Sequence, residues 1–379
     1  MSKHHFAGFV RLSSGYLGKR NLISAGTFGS AESGSALDDS APRSTIVADE
    51  NTESQLIRSL PVLVLHAHSS CNCRCIMCDI WKTPEGRVFG VDDLKPHLSS
   101  IRELGVRWVV FSGGEPLLNP QLFSLCSLLR EEDIRLTLLT TGLLLRKFAA
   151  EVVTNFDDVI VSLDGPREVH DAIRRVPGAF GLIQSGVATL RRHRANVRIT
   201  ARTTVQKANH GRLRETVRAV RELNLDGISF LAADLTSSAF NRPLVWPAHR
   251  QEEIGLSLVE LGELEAEIEA LIAETPCGTG GGFVTETPEK LRRITRQFRV
   301  QLGLQRGESP ICNAPWVSAV IEVDGTVRPC FFHPSIGNLQ EKTLESIING
   351  REARTFRENL AVPDNPICRR CVCSLHYRL

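Results

Sequence analysis

Between Pro61 and Ala232, six short apolar runs alternate with stretches whose apolar residues recur at helical spacing. This alternation constrains the fold more than any other feature of the chain. The runs cover residues 62–67, 106–112, 135–140, 159–163, 197–205 and 227–232, and the helical stretches include 121–132, 180–193 and 212–223. A short apolar run reads as a strand buried on both faces, and strands that are each followed by a helix assemble as parallel βα units. A closed eight-unit barrel takes about 250 residues, more than this segment holds. The expectation is therefore an α/β fold built on a partial (β/α)6 TIM-like barrel. In such a fold chemistry gathers at the C-terminal ends of the strands.

The rest of the chain divides around this core. Residues 1–58 are polar and lack periodicity, which predicts a disordered tail. Residues 59–235 form the barrel, and 236–308 form a helical bridge with helices expected at 252–273 and 289–302. Residues 309–379 read as a small α+β domain. Its hairpin is expected from residues 316–323, the turn Asp324-Gly325, and 326–328, since Asp-Gly between apolar residues is a strong turn signal. A last helix is expected over 344–359. The 45 basic residues nearly balance the 43 acidic ones, so nothing in the charge points to nucleic acid. No apolar run reaches the length of a membrane span, and the N-terminus lacks the pattern of a secretory signal, which predicts a cytoplasmic protein away from membranes.

Eleven cysteines in 379 residues are the chemical signal. Most fall in two groups: Cys71, Cys73, Cys75 and Cys78, then Cys312, Cys330, Cys368, Cys371 and Cys373, with Cys126 and Cys277 apart. In a reducing compartment such clusters point to metal rather than disulfides. The first group, Cys71-Asn-Cys-Arg-Cys-Ile-Met-Cys78, follows the first strand directly. Three thiolates on one loop can hold one metal centre with a coordination position left open. Four, with Cys73 included, would instead close a structural zinc site.

The spacing of Cys71, Cys75 and Cys78 resembles the CxxxCxxC loop of radical S-adenosylmethionine (radical SAM) enzymes. The resemblance implies that these three hold a [4Fe–4S] cluster whose unique iron chelates S-adenosylmethionine (SAM). It also implies that reductive cleavage of SAM yields a 5′-deoxyadenosyl radical, and that an electron donor such as flavodoxin or ferredoxin supplies the electron. Cys73 is then a small buried side chain turned away, and Met77 lies near the adenine. Further matches follow in barrel order. Phe111-Ser-Gly-Gly-Glu-Pro116 resembles the family's GGE motif, with Gly113, Gly114 and Glu115 toward the methionine moiety. Thr141, in Thr140-Thr141-Gly142, resembles the turn ending the third strand. Ser162 and Asp164 lie in a segment resembling the ribose contact, and Arg202 and Thr204 on the fifth strand could face the methionine carboxylate. His170-Asp-Ala-Ile-Arg-Arg-Val-Pro-Gly178 looks like the helix and loop that follow in relatives.

The second group resembles the C-terminal SPASM/Twitch extension of these enzymes. That resemblance implies one auxiliary [4Fe–4S] cluster held by Cys312, Cys330, Cys368 and Cys371, with Cys373 as an alternative last ligand. On spacing alone zinc fits the same four equally well. Closed cysteine ligation argues for electron transfer rather than substrate coordination. The expected substrate is a peptide or small metabolite, undergoing hydrogen abstraction and then oxidation or crosslinking. The alternatives are a redox-neutral epimerisation or decarboxylation, or a zinc-stabilised binding protein without catalysis. Asp234, at the end of the sixth strand, is a candidate substrate contact, Cys277 a candidate hydrogen-atom donor to a product radical, and Trp316, Arg328 and His333 are candidate pocket residues near the second cluster.

Overall fold

The computed structural model describes residues 55–83, 86–240, 242, 244–278 and 281–377. The expected tail therefore lies outside the described residues apart from 55–58. That short piece is anchored: Ile57 is buried, its N–H donates to Asn349 Oδ1 (2.8 Å), and its carbonyl accepts from Asn349 Nδ2 (3.0 Å).

Six parallel strands follow in sequence order: β1 (Val62–His68), β2 (Trp108–Gly113), β3 (Arg135–Thr140), β4 (Asp158–Ser162), β5 (Arg198–Val205) and β6 (Ile228–Ala232). The crossover helices are α1 (Leu98–Glu103), α2 (Leu122–Arg130), α3 (Ala149–Asn155), α4 (Arg167–Arg174), α5 (Ala179–His193) and α6 (Leu213–Glu222). Alternation along each strand sorts the two faces. Val109, Phe111, Leu136, Leu138, Val159, Val161, Ile199 and Ala201 are buried toward the helices. Their neighbours Val110, Ile160, Ser162, Arg202 and Thr204 are more exposed and line the inner face. The partial barrel expected from sequence is the observed architecture.

The hairpin is present, and it joins the barrel sheet. β7 (Ser318–Ile321) pairs in parallel with β1, from Val62↔Ser318 to Leu65↔Ile321, while β8 (Thr326–Arg328) and β9 (Gly337–Asn338) continue antiparallel. The strand starts later than the expected 316, because Trp316 lies in a short helix, Ala314–Val317. The turn closes through Gly325 at φ +83°, whose N–H donates to Glu322 O (2.9 Å), the backbone that a three-residue loop with a left-handed glycine requires. The result is one nine-stranded sheet, β6-β5-β4-β3-β2-β1-β7-β8-β9. At its opposite end, β6 is covered by the 283–286 segment: Ile228 N–H donates to Phe283 O (2.9 Å) and Thr285 N–H to Ile228 O (2.8 Å). The edge is thereby paired.

The helices of the second half break where a continuous helix was expected. The bridge contains α7 (Ala248–Ile254) and α8 (Leu258–Glu274), separated at Gly255 and restarted by a Ser257/Glu260 capping box, and then α9 (Pro288–Gln301). The last helix is two, α10 (Leu344–Ile348) and α11 (Arg351–Glu358). Apolar periodicity runs through the break, but Asn349 turns its side chain to the Ile57 backbone and Gly350 adopts extended geometry.

Candidate functional site

The first cysteine loop leaves the end of β1 and is gripped from three sides. A register shift between His66 and His68 widens β1 just before the loop. From β2, Gly114 N–H donates to His68 O (2.8 Å) and Glu115 N–H to Ser70 O (2.9 Å). Side chains are excluded there: a Cβ on Gly114 would stand 2.0 Å from Ser70 O, and Gly113 has φ +107°. From α4, the carbonyls of Arg174 and Ile173 accept from Arg74 N–H (3.1 Å) and Ile76 N–H (3.0 Å). These are the carbonyls that a helix C-terminus leaves without partners. From the segment after β6, Arg242 donates to Met77 O (3.3 Å), Arg250 to Ile76 O, and Trp246 Nε1 to Asp79 Oδ2 (2.7 Å).

Each of the three predicted ligand sulfurs receives a hydrogen bond. Cys73 N–H points to Cys71 Sγ (3.5 Å), Ile80 N–H to Cys78 Sγ (3.4 Å), and Arg174 Nη1 to Cys75 Sγ (3.5 Å). Donors aimed at sulfur suit thiolates bound to iron, whose electronics depend on such bonds. Cys73 is buried, as the sequence suggested, but its thiol is turned toward Cys71 and Cys75 rather than away. Hydrogen bonding from Cys73 holds the Cys75 thiol below its ordinary value against its burial, with Arg174 helping, whereas burial pushes Cys78 up to about 12.

Glu115 is fully buried, and its carboxylate is occupied by the protein. It accepts from Thr140 Oγ1 (2.8 Å), Thr141 N–H (2.7 Å) and Leu117 N–H (3.0 Å), while Thr141 Oγ1 lies 2.7 Å from Glu115 and 2.9 Å from Asn72 Oδ1 in the cysteine loop. Burial raises its pKa, and these donors oppose the shift. The motif thus ties the ends of β2 and β3 to the loop. Asp164 is likewise enclosed: it accepts from Thr204 N–H (2.9 Å) and pairs with Arg174 (2.7 Å). Ser162 stays on the inner face, in register with Arg202. Met77 packs against Ala233, Leu235, Trp246 and Ile254. Asp234 is committed to a buried pair with Arg242 (2.8 Å), itself stacked 3.8 Å from the Trp246 ring centre.

In the second group, burial and, less strongly, the neighbouring Cys312 raise the thiol pKa of Cys330, Cys368, Cys371 and Cys373. Burial raises Cys330 and Cys368 to about 11 each. Arg293 and Gln297 of α9 donate to Cys371 O (2.6 and 2.9 Å), and His333 Nε2 lies 3.4 Å from Cys368 Sγ. Cys373 and Arg202 line one cavity with Ser229, Glu286 and Lys290. Arg328 pairs with Glu322 (2.8 Å) and supports His333 O (3.1 Å). Trp316 is buried beside this segment. Cys277 bonds Thr275 O (3.1 Å) in its own loop, and Cys126 is buried in α2.

Sequence reasoning missed one residue of this interior. His66, on β1 and just ahead of the cysteine loop, packs against Phe331, the neighbour of Cys330, with ring centroids 5.4 Å apart. Its Nε2 is buried without a hydrogen-bond partner. Burial and the nearby Arg328 hold its pKa down to about 4, so the ring is neutral near pH 7. Its position inside an apolar run hid it.

Comparison with known proteins completes the description. The model of the radical SAM superfamily matches residues 68–220, and that of the SPASM iron–sulfur cluster-binding domain matches residues 312–372. Over those residues the chain carries a radical SAM domain followed by a SPASM domain. These two domains imply SAM, a [4Fe–4S] cluster that binds it, and auxiliary iron–sulfur clusters. Among curated relatives, an AdoMet-dependent heme synthase of Methanosarcina barkeri is 30% identical over 41% of this chain and 45% of its own length. The subtilosin biosynthesis protein AlbA of Bacillus subtilis is 24% identical over 74% of this chain and 57% of its own length. The chain thus spans about half the length of these two relatives. The structure of Streptococcus suis SuiB bound to SAM superposes with TM-score 0.58 at 15% identity, covering 86% of this chain and 75% of that one. The anSMEcpe structure with bound AdoMet and a peptide gives TM-score 0.56 at 19% identity, covering 78% and 82%. Both likenesses concern the fold. Among the described residues, no helix is long and apolar enough to cross a membrane.

Proposed function

We propose that this radical SAM enzyme abstracts hydrogen from a peptide or small-metabolite substrate held in the barrel interior between its two cysteine groups, leading to oxidation or crosslinking. The contact of His66 with Phe331 carries the reading, because one inner surface joins the strand leading to Cys71 with the segment following Cys330. Cys71, Cys75 and Cys78 would hold the SAM-binding cluster, and Cys312, Cys330, Cys368 and Cys371 one auxiliary cluster. Bound there, the reduced [4Fe–4S] cluster would supply the electron that splits SAM to methionine and a 5′-deoxyadenosyl radical, and the auxiliary cluster a path for the substrate's second electron.

The protein's own part is to bind and orient. Gly113 and Gly114 let the loop backbone approach β2, Glu115 and Thr141 fix the loop's position, and Ser162 and Arg202 face the interior where SAM's polar groups need partners. His66 lines this surface beside Phe331 as a neutral ring. Residues 59–235 would carry SAM cleavage, 236–308 the clamp on the loop, and 309–379 the auxiliary cluster. AlbA acts in bacteriocin biosynthesis and SuiB has been crystallised with its precursor peptide SuiA, which supports a peptide substrate. The heme synthase relatives support a small-molecule one. Flavodoxin or ferredoxin would serve as donor in a reducing cytoplasm.

Anaerobic reconstitution tests the reading. The expected product is a brown protein with roughly eight irons, about four per cubane, that forms 5′-deoxyadenosine from SAM after reduction. Replacing Cys71, Cys75 and Cys78 together by Ala should abolish that product and leave about four irons. A colourless protein holding zinc would overturn the proposal.

A further inference from the structure

The helix after β4 carries a pair that the SAM-cleavage scheme does not use. His170 and Arg174 stand four residues apart on α4 and so share one face of the helix. Both are buried, and both turn to Asp164: His170 Nδ1 accepts the Asp164 N–H (3.2 Å), and the Arg174 guanidinium pairs with the Asp164 carboxylate (2.7 Å). Thr204 N–H fixes the same carboxylate from β5 (2.9 Å), and Asn209 Nδ2 holds the Asp164 carbonyl (2.9 Å). Asp164 therefore sits in a closed cage and aims Arg174 in one direction. Along that direction, Arg174 Nη1 points to Cys75 Sγ (3.5 Å).

Burying a guanidinium is costly unless negative charge balances it. An N–H directed at a neutral thiol gains little, whereas one directed at a sulfur carrying charge makes a charge-assisted bond. The backbone enforces the arrangement. Arg175, at φ +53°, ends α4 so that the carbonyls of Ile173 and Arg174 meet the loop amides on both sides of Cys75. The position of the guanidinium is thus fixed relative to the sulfur by main chain as well as by side chain.

We propose that Arg174, oriented by Asp164, is a positioning residue that raises the electron affinity of the cluster ligated through Cys75. A cationic donor at a ligand sulfur stabilises the reduced, more negative cluster, and a nearby carboxylate opposes it. The inference rests on Cys75 being a ligand, and it moves Asp164 from the SAM ribose to the support of the cluster.

The test is a redox titration, followed by electron paramagnetic resonance, of the anaerobically reconstituted full-length protein. The signal to follow is the one that changes on adding SAM, which separates the first cluster from the auxiliary one. Arg174→Gln is expected to retain the iron content and shift that midpoint potential downward. Arg174→Lys is expected to restore part of the shift, and Asp164→Asn to move the potential upward. If Arg174→Gln fails to assemble the cluster, Asp164→Asn decides, because it leaves the guanidinium in place. An unmoved potential in Asp164→Asn, with a raised KM for SAM, would return Asp164 to the ribose and overturn the proposal. The assignment of Cys75 is tested separately: a Cys75→Ala protein that keeps the SAM-responsive signal would remove the ligand reading itself.

Discussion

Replacing Gly114 by Ala tests whether the second glycine of the β2 motif exists to admit the cysteine loop. The new Cβ would lie 2.0 Å from Ser70 O and 2.5 Å from Ser70 C. Carbon and oxygen settle at about 3.3 Å or more, so the loop backbone must retreat by roughly 1 Å. Neither partner is the free end of a side chain, so the strain cannot be relieved by a rotamer change. Overpacking of this kind costs about 1–3 kcal/mol. Weakening the bonds from Gly114 N–H to His68 O and from Glu115 N–H to Ser70 O adds about 1 kcal/mol each. The expected loss is about 3–5 kcal/mol of stability by urea unfolding. Where the variant folds, 5′-deoxyadenosine formation should fall on the order of 100-fold, as ~1 Å misplacements do. Gly178→Ala is the control: Gly178 has φ +80°, yet nothing lies within 4 Å of its Cβ position, so only backbone strain of about 1 kcal/mol follows. A Gly114→Ala protein with unchanged urea midpoint and iron content would refute the close-approach argument.

Other perturbations follow from the same geometry. Gly262 lies inside α8 with nothing within 4 Å of its Cβ position, so Gly262→Ala should stabilise by up to about 1 kcal/mol, seen as a raised Tm with unchanged SAM cleavage. Asp234→Ala strands the buried Arg242 charge and should cost about 3–5 kcal/mol in urea unfolding; a neutral result would mean the pair is replaceable. His170, held down to about 3 by burial and then Arg174, is neutral when folded but takes a proton when unfolded below its ordinary 6.5. The unfolded state therefore binds more protons between those values, so this stability is complete above 6.5 and is lost as pH falls toward 3. The loss is about 2 kcal/mol by pH 5. His170→Asn should flatten that part of the pH–stability curve.

Much of the candidate site was legible because metal ligation and close backbone approach restrict residue identity. Cys71, Cys75 and Cys78 and the pair Gly113-Gly114 stand out in the sequence for that reason, and the structure brings them together through the Gly114–His68 and Glu115–Ser70 bonds. Glu115 and Asp164 show the limit. A carboxylate at a strand end suggests ligand contact, yet in the fold both are enclosed by Thr140 and Thr141 or by Arg174 and Thr204. Nothing local distinguishes a carboxylate that meets a ligand from one that meets a neighbouring strand. Likewise, apolar periodicity passes through Asn349–Gly350, where a tertiary bond to Ile57 breaks the helix.

By itself, the sequence determined the parallel barrel units and the two cysteine groups, because strand period, turn chemistry and ligand spacing are local and recur within a few residues. Only the tertiary structure decided that β7 continues the sheet beside β1. The same holds for the guanidinium of Arg174 at Cys75 and for the contact of His66 with Phe331. These contacts join residues far apart in the chain, and their partners are chosen by packing and by the need to satisfy buried polar groups, which no local pattern encodes.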